Sequence, residues 1–534
     1  MPDYIFMLES RLSPEQLEVL NRVQQEAQDL GLNLYLVGGA VRDLMSGSPI
    51  RDLDFTCEGN PARLLRRVQG EAPRRIELDD ERHRAELLLA NGVSLSLEMA
   101  RNELYREPGK PPEVRPAPIM EDLRRRDFSM NAMGISLTPG SRGLLLDPTN
   151  GQADIEHRQL RILHNYSFLH DPVRLLRLVR FQSRLGYKPE PRTQELFEAA
   201  LERGYQDYID SEALGQEAEQ VAGEENVVAV LKALAGHELL AVLHPQLQRR
   251  PPDYAGLTKL QKYRGQAAAA GYRVDSFASV LHYLRRRLPS RAQKQLLRNL
   301  ALDKKRMQAV LALEAEGRRL AQQLARQRSL GPRQIYHLLE TVSVDLLVFI
   351  LTEYSDKQKV QAKVYNYLFK YKPLRQRLPV RELQLMGVPP GPKSEEILEK
   401  YFEAVLDGKL RGRTAQLKFL RKLAGVPKPK PAPPHKPKKA AKKAEEAPTA
   451  AAPGPPPPEL VPAKEAKPAV AAEKAEKKPA SPKPAAKPGA KPTRPLPVKK
   501  KPATKPAKSK KPKKAVPAKK STPKRKKSGA KRRP

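Results

Sequence analysis

The 534-residue chain has one cysteine, no tryptophan, and only 17 tyrosines and 11 phenylalanines. A single thiol, Cys57, excludes an internal disulfide and fits a reducing compartment, so a cytoplasmic location is expected. No run of about 18 apolar residues occurs, which excludes a helical membrane span and leaves no membrane partner to expect. The opening MPDYIFMLES lacks a basic region followed by a long apolar stretch, so no secretory signal is expected. Acidic residues are also scarce, with 60 Asp/Glu against 99 Lys/Arg and a formal charge of +39. The imbalance concentrates in residues 426–534, which hold 34 Lys/Arg, 6 Asp/Glu, 27 of the 52 prolines and no aromatic ring. Such a segment cannot bury enough apolar surface to offset its ordering entropy. It is expected to be a disordered Lys/Pro/Ala-rich arm that attracts RNA non-specifically, or serves only as a solubilising extension.

The remaining chain divides by pattern. Ser13–Gly31 reads as a helix, with a capping serine, Pro14 in its first position and glycine to stop it. LNLYLVGG reads as a strand entering a glycine turn, and RDLDFTC alternates as a strand does. Asn91-Gly92 between two alternating apolar runs signals a hairpin. After Asp147 the periodicity becomes helical, and only helices are expected over residues 151–425. The fold class is therefore α+β: a small α/β head over residues 1–150, a helical neck over 151–236, a helical body and tail over 237–425, then the arm.

The stretch LVGGAVRDLMSGSPIRDLDF, residues 36–55, carries the densest chemistry. In an extended strand Asp52 and Asp54 share one face while Leu53 and Phe55 share the other. Paired carboxylates repel unless a cation lies between them, and Mg²⁺ takes carboxylate and phosphate oxygens. Gly38 and Gly39 would allow backbone N–H groups to approach a phosphate, and Arg42 adds a forked donor. The same residues also suit a plain strand, turn and strand with polar edges. Downstream, Asp171 and Pro172 suit a helix start, with Arg174, Arg177 and Arg180 at intervals of three. That pattern fits either a base-reading edge or a solvated basic face. RRDFSMNAM, residues 125–133, could likewise be a structural ion pair at the sheet edge.

Taken together these motifs resemble the bacterial tRNA nucleotidyltransferases (CCA-adding enzymes) and the related poly(A) polymerases. The resemblance rests on the strand-GG-VRD-DLD stretch, RRDFSMNAM, LLLDPTNGQADIEHRQLRIL and DPVRLLRLVRF. GVPPGPKSEEILEKYFEAVLDGKL is similar to the end of the longer members. It implies Asp52 and Asp54 as catalytic, metal-holding residues with Mg²⁺ as cofactor. It implies nucleotide contacts from Gly38, Gly39, Arg42, Arg126 and Asp127. Asp171 and Arg174 would pair with the incoming base, supported by Arg177 and Arg180. The implied partners are CTP, ATP and the 3′ end and acceptor arm of tRNA. Basic helical stretches such as residues 281–308 suit contact with RNA phosphates, and equally suit a solvated helix face.

The sequence departs from the family pattern at three places. Ser96 stands where relatives carry a third carboxylate; Glu98 shares its strand face, roughly 6.6 Å further along, and either substitutes or leaves no third ligand. His170 precedes Asp171 where glutamate is usual, and no catalytic role is expected of it. In SEALGQEAE, Ala213 replaces an arginine, which weakens the neck ion pair the family would form. The expected activity is template-independent addition of CMP and AMP to the tRNA 3′ end. The segment between Arg101 and Arg125 is long enough to contain the loop that relatives use to switch from C to A. Alternatives are poly(A) synthesis, CC-only or A-only addition, or an inactive RNA-binding relative.

Overall fold

The structure is a computed structural model that describes residues 3–426 apart from 70–72, 74, 81, 82, 328 and 411. The arm expected from residue 427 onward lies outside the described residues. Two helices lead in, α1 (Tyr4–Arg11) and α2 (Pro14–Asp29). The second begins as expected. Ser13 Oγ accepts from the Gln16 amide at 3.2 Å, and Gln16 Oε1 accepts from the Ser13 amide at 3.0 Å, a reciprocal cap.

The head is built on β1 (Asn33–Val37), α3 (Gly38–Ser46) and β2 (Leu53–Glu58). After α4 (Ala62–Val68) come β3 (Arg75–Asp79), β4 (Arg84–Leu88) and β5 (Ser94–Met99). The hairpin signal is borne out: β4 and β5 pair antiparallel, and Gly92 takes φ 89° between them. A separate hairpin, β6 (Arg101–Leu104) and β7 (Glu113–Pro116), and α5 (Ile119–Arg124) occupy the segment that was expected to contain a switching loop. A single turn at Ser129–Asn131 then leads to β8 (Gly134–Ser136) and β9 (Leu145–Leu146). Seven strands form one mixed sheet in the order β3-β4-β5-β2-β1-β8-β9. In β2, Leu53, Phe55 and Cys57 are fully buried, so the intervening residues are left to the other face.

The rest is helical: α6 (Gly151–Glu156), α7 (Ser167–His170), α8 (Arg174–Leu185), α9 (Pro191–Glu202), α10 (Ser211–Gly223) and α11 (Val227–Gly236). Further helices run from Leu240–Leu243 to Arg413–Ala424. The expectation of helices alone needs one correction. Gln159–Leu160 and Lys188–Pro189 form a short parallel bridge, β10 and β11, because the ends of the α6–α7 link and of α8 meet there. One apolar core runs from Leu8 in the head to Leu406, with a smaller cluster around Leu383, Leu398 and Leu420. Among the described residues no single helix is long and apolar enough to cross a membrane.

Candidate active site

The chain leaves β1 through Gly38, whose φ of 64° lies in the left-handed region. Its amide donates to the Met133 carbonyl at 3.2 Å, tying the turn to the start of β8. A Cβ on Gly38 would sit 3.1 Å from Arg126 Nη1, and one on Gly39 would sit 3.4 Å from Asp54 Oδ2. The two glycines therefore leave room for an arginine and a carboxylate to close on the start of α3. Asp52 is exposed just before β2, and Asp54 is partly buried inside it. Burial first, and then the charge of Asp52, pushes the Asp54 carboxyl up to about 6.

Strand register decides what stands beside Asp54. β2 and β5 run parallel, with Asp54 opposite Ser96 and Thr56 opposite Glu98. Ser96 Oγ donates to Asp54 Oδ1 at 2.8 Å and partly offsets the upward shift. Glu98, the other candidate on this face, is held by cations. Its carboxylate accepts from Arg101 Nη1 at 3.0 Å and from Arg126 Nη2 at 3.3 Å. Burial raises the Glu98 carboxyl, but Arg101, Arg126 and Arg84 outweigh it and hold the group well below its ordinary value. It is bound into an ion-pair network and does not share Asp54's place.

That network has a centre the sequence reading missed. Asp122 is 0% exposed and accepts from Arg125 Nη2 at 2.5 Å, Arg126 Nη2 at 2.9 Å and the Arg101 amide at 3.2 Å. The available signal was the helical spacing of Asp122 from Arg125 and Arg126. Arg126 also donates to Thr56 Oγ1 at 3.3 Å. It is thereby fixed with Nη1 toward the glycine turn. Arg42 is buried, and three of its N–H directions are taken by Asp43 and Asn131. Its guanidinium lies 5.4 Å from the Phe181 ring centre. It braces α3 against the Ser129–Asn131 turn and α8.

Asp127 joins the head to the neck. Its Oδ1 accepts from the Phe128 amide and Asn131 Nδ2, and its Oδ2 accepts from Arg177 Nη1 at 3.0 Å. Asp171 does not cap α8: its Oδ2 instead accepts from Arg174 Nε at 3.1 Å, and the helix begins at Arg174. Arg174 further donates to Ser167 Oγ at 2.8 Å and to the Arg125 carbonyl at 3.3 Å. Arg180 is buried and reaches Glu217 Oε1 at 2.6 Å and Glu224 Oε1 at 2.9 Å, while Arg177 Nε reaches Glu217 Oε2 at 3.2 Å. The weakened neck pair expected from Ala213 is thus corrected. Glu217 on α10 takes its cations from α8, so no arginine at 213 is needed. The structure brings Arg126, Asp127, Arg174 and Arg177 into one run of contacts that ends at the Asp54 turn.

Residues 34–161 match the family model described as the Poly A polymerase head domain. The head is thus similar to that of poly(A) polymerases. An A-adding tRNA nucleotidyltransferase of Halalkalibacterium halodurans is 40% identical over 192 residues, 36% of this chain and 45% of the relative. One of the same name from Geobacter sulfurreducens is 24% identical over 428 residues, 79% of this chain and 48% of the relative. This chain therefore spans about half the length of these curated relatives. A solved CCA-adding enzyme in apo form is 28% identical, with 80% of this chain and 99% of that one covered at a TM-score of 0.46. The chain is thus similar to tRNA nucleotidyltransferases, and over residues 34–161 to the Poly A polymerase head domain.

Proposed function

We propose that the chain transfers CMP and AMP from CTP and ATP to the 3′-hydroxyl of tRNA, releasing pyrophosphate with Mg²⁺ as cofactor. The observation that carries this reading is Asp54: a carboxyl pushed up to about 6 beside Asp52, at a glycine turn faced by Arg126. A carboxylate whose charge is disfavoured by burial and by a neighbouring carboxylate belongs to a hard-oxygen donor set that suits Mg²⁺. Asp52 and Asp54 would hold it. When bound, it lowers the pKa of the attacking hydroxyl and neutralises charge on the departing pyrophosphate.

The chain's own residues do the remaining work. Gly38 and Gly39 admit the triphosphate close to backbone amides. Arg126 offers Nη1 on that side, and Arg42 holds the start of α3 in place. The Asp171–Arg174 pair presents an acceptor and donors to the base, so cytosine or adenine is chosen by side chains without a template. Asp127, Arg177 and Arg180 fix the angle between that pair and the carboxylates. We assign no side chain as general base. Residues 1–150 act as the transfer head, 151–236 as the base-selecting neck and 237–425 as the RNA-holding body.

A second reading, addition of A alone, is favoured by the two relatives named as A-adding. Purified protein given tRNA ending before, within or after CC, with labelled CTP or ATP, separates these. Stepwise C, C and A products support the first reading, AMP on CC-ended tRNA alone supports the second, and no product refutes both. Asp52→Ala is expected to abolish incorporation and leave RNA affinity within about twofold. Normal turnover by that variant would sink the site assignment.

A further inference from the structure

Beside the base-reading pair lies an aromatic group that the transfer reaction leaves unused. Tyr105, just past β6, stacks on His170 with ring centres 5.2 Å apart and planes 8° from parallel. Tyr166 stacks on the same imidazole at 5.9 Å and 27°. The three rings are joined from separate elements, the β6–β7 hairpin and α7 with its approach, and His170 is followed directly by Asp171. The inner end is anchored, because the Tyr105 hydroxyl donates to Glu103 Oε2 at 2.8 Å, and Glu103 is gripped by Arg101 and Arg125. The outer end is open, since Tyr166 remains 64% exposed. A large ring held in place at one edge and left in water at the other is built for a flat partner.

The charges around the rings suggest which partner. Burial, then Arg174 and His164, hold the His170 imidazole below its ordinary value. The shift favours the neutral imidazole, which suits stacking between Tyr105 and Tyr166 better than contact with a phosphate. Arg124, the last residue of α5, is exposed, and its backbone carbonyl accepts from His164 Nε2 at 2.8 Å, so the element that His164 touches, two residues before Tyr166, carries an exposed cation. Aromatic faces beside cations are the usual surface for single-stranded nucleic acid.

We infer that Tyr166 is a stacking platform for an unpaired nucleobase of the RNA 3′ end, held rigid through His170 and Tyr105. This rests on the reading of the chain as an RNA 3′-end nucleotidyltransferase. The platform meets the acceptor strand and not the incoming nucleotide, which Asp171 and Arg174 address. Removing the ring should therefore act on the RNA alone.

The test uses the full-length protein and a hairpin RNA carrying 2-aminopurine at its unpaired 3′-terminal position, without nucleoside triphosphate. The native protein is expected to quench the fluorescence. Tyr166→Ala should lose the quench and weaken RNA binding roughly tenfold, in line with the loss of one base–aromatic stack. Tyr166→Phe should retain both. In transfer assays Tyr166→Ala should raise KM for RNA and leave KM for the nucleotide unchanged. Absence of quenching by the native protein would overturn the inference, as would a Tyr166→Ala variant that quenches as before or one whose KM rises only for the nucleotide. Quenching that depends on Tyr166 in a protein that transfers nothing would refute the proposed function and leave the platform standing.

Discussion

On the proposed function Asp54 holds a cation, and its surroundings make its charge unfavourable until one is bound. Burial and Asp52 raise its carboxyl to about 6, and Ser96 lowers it again by one hydrogen bond. A carboxylate ligates metal in its ionised form, so on the proposed function protons would compete with the cation as pH falls through that value. Mg²⁺ affinity measured by calorimetry should drop between pH 7 and pH 5, with proton release on binding growing over the same range. Ser96→Ala removes the lowering contact. It should shift that drop to higher pH, and an unchanged profile would show that Ser96 does not tune Asp54. Without metal, the raised carboxyl destabilises the fold above about pH 6 and ceases to do so below the unfolded value of 3.8. Asp54→Asn should therefore raise the metal-free Tm at pH 7, with the gain disappearing towards pH 4.

Between elements, the joint of head and neck is a lattice of buried ion pairs centred on acids. Asp122 gathers Arg125 and Arg126, and Glu217, 2% exposed, gathers Arg177 and Arg180. Removing one partner of a buried pair leaves an uncompensated charge and costs about 3 to 5 kcal/mol. Glu217→Ala should lower stability by that order in denaturant unfolding, and should impair nucleotide selection before it impairs metal binding. A loss below about 1 kcal/mol would show that Glu224 alone satisfies Arg180. The three helix arginines Arg174, Arg177 and Arg180 were legible from their spacing, but their partners were not. Glu217 lies 37 residues beyond Arg180, and Asp127 lies 50 before Arg177. Only the crossing of α8 with α10 and its approach to the head make those pairs.

At the scale of the molecule, the surplus of positive charge lies mainly in the arm beyond residue 426. Deleting residues 427–534 should weaken RNA binding chiefly at low salt and flatten its dependence on salt. Unchanged affinity at low salt would remove the arm from the function. The α+β class, the head's strands and the Asn91-Gly92 hairpin were determined by the sequence alone. Each follows from local period, turn chemistry or a short motif. Tertiary structure decided what surrounds them. Parallel pairing of β2 with β5 set Ser96, not Glu98, beside Asp54, since a two-residue step along a strand keeps the face but moves the contact. It turned Arg42 and Arg180 inward as braces, and it stacked His170 between hairpin and helix. These outcomes depend on which residues distant in the chain arrive at the same place, and no local pattern encodes that.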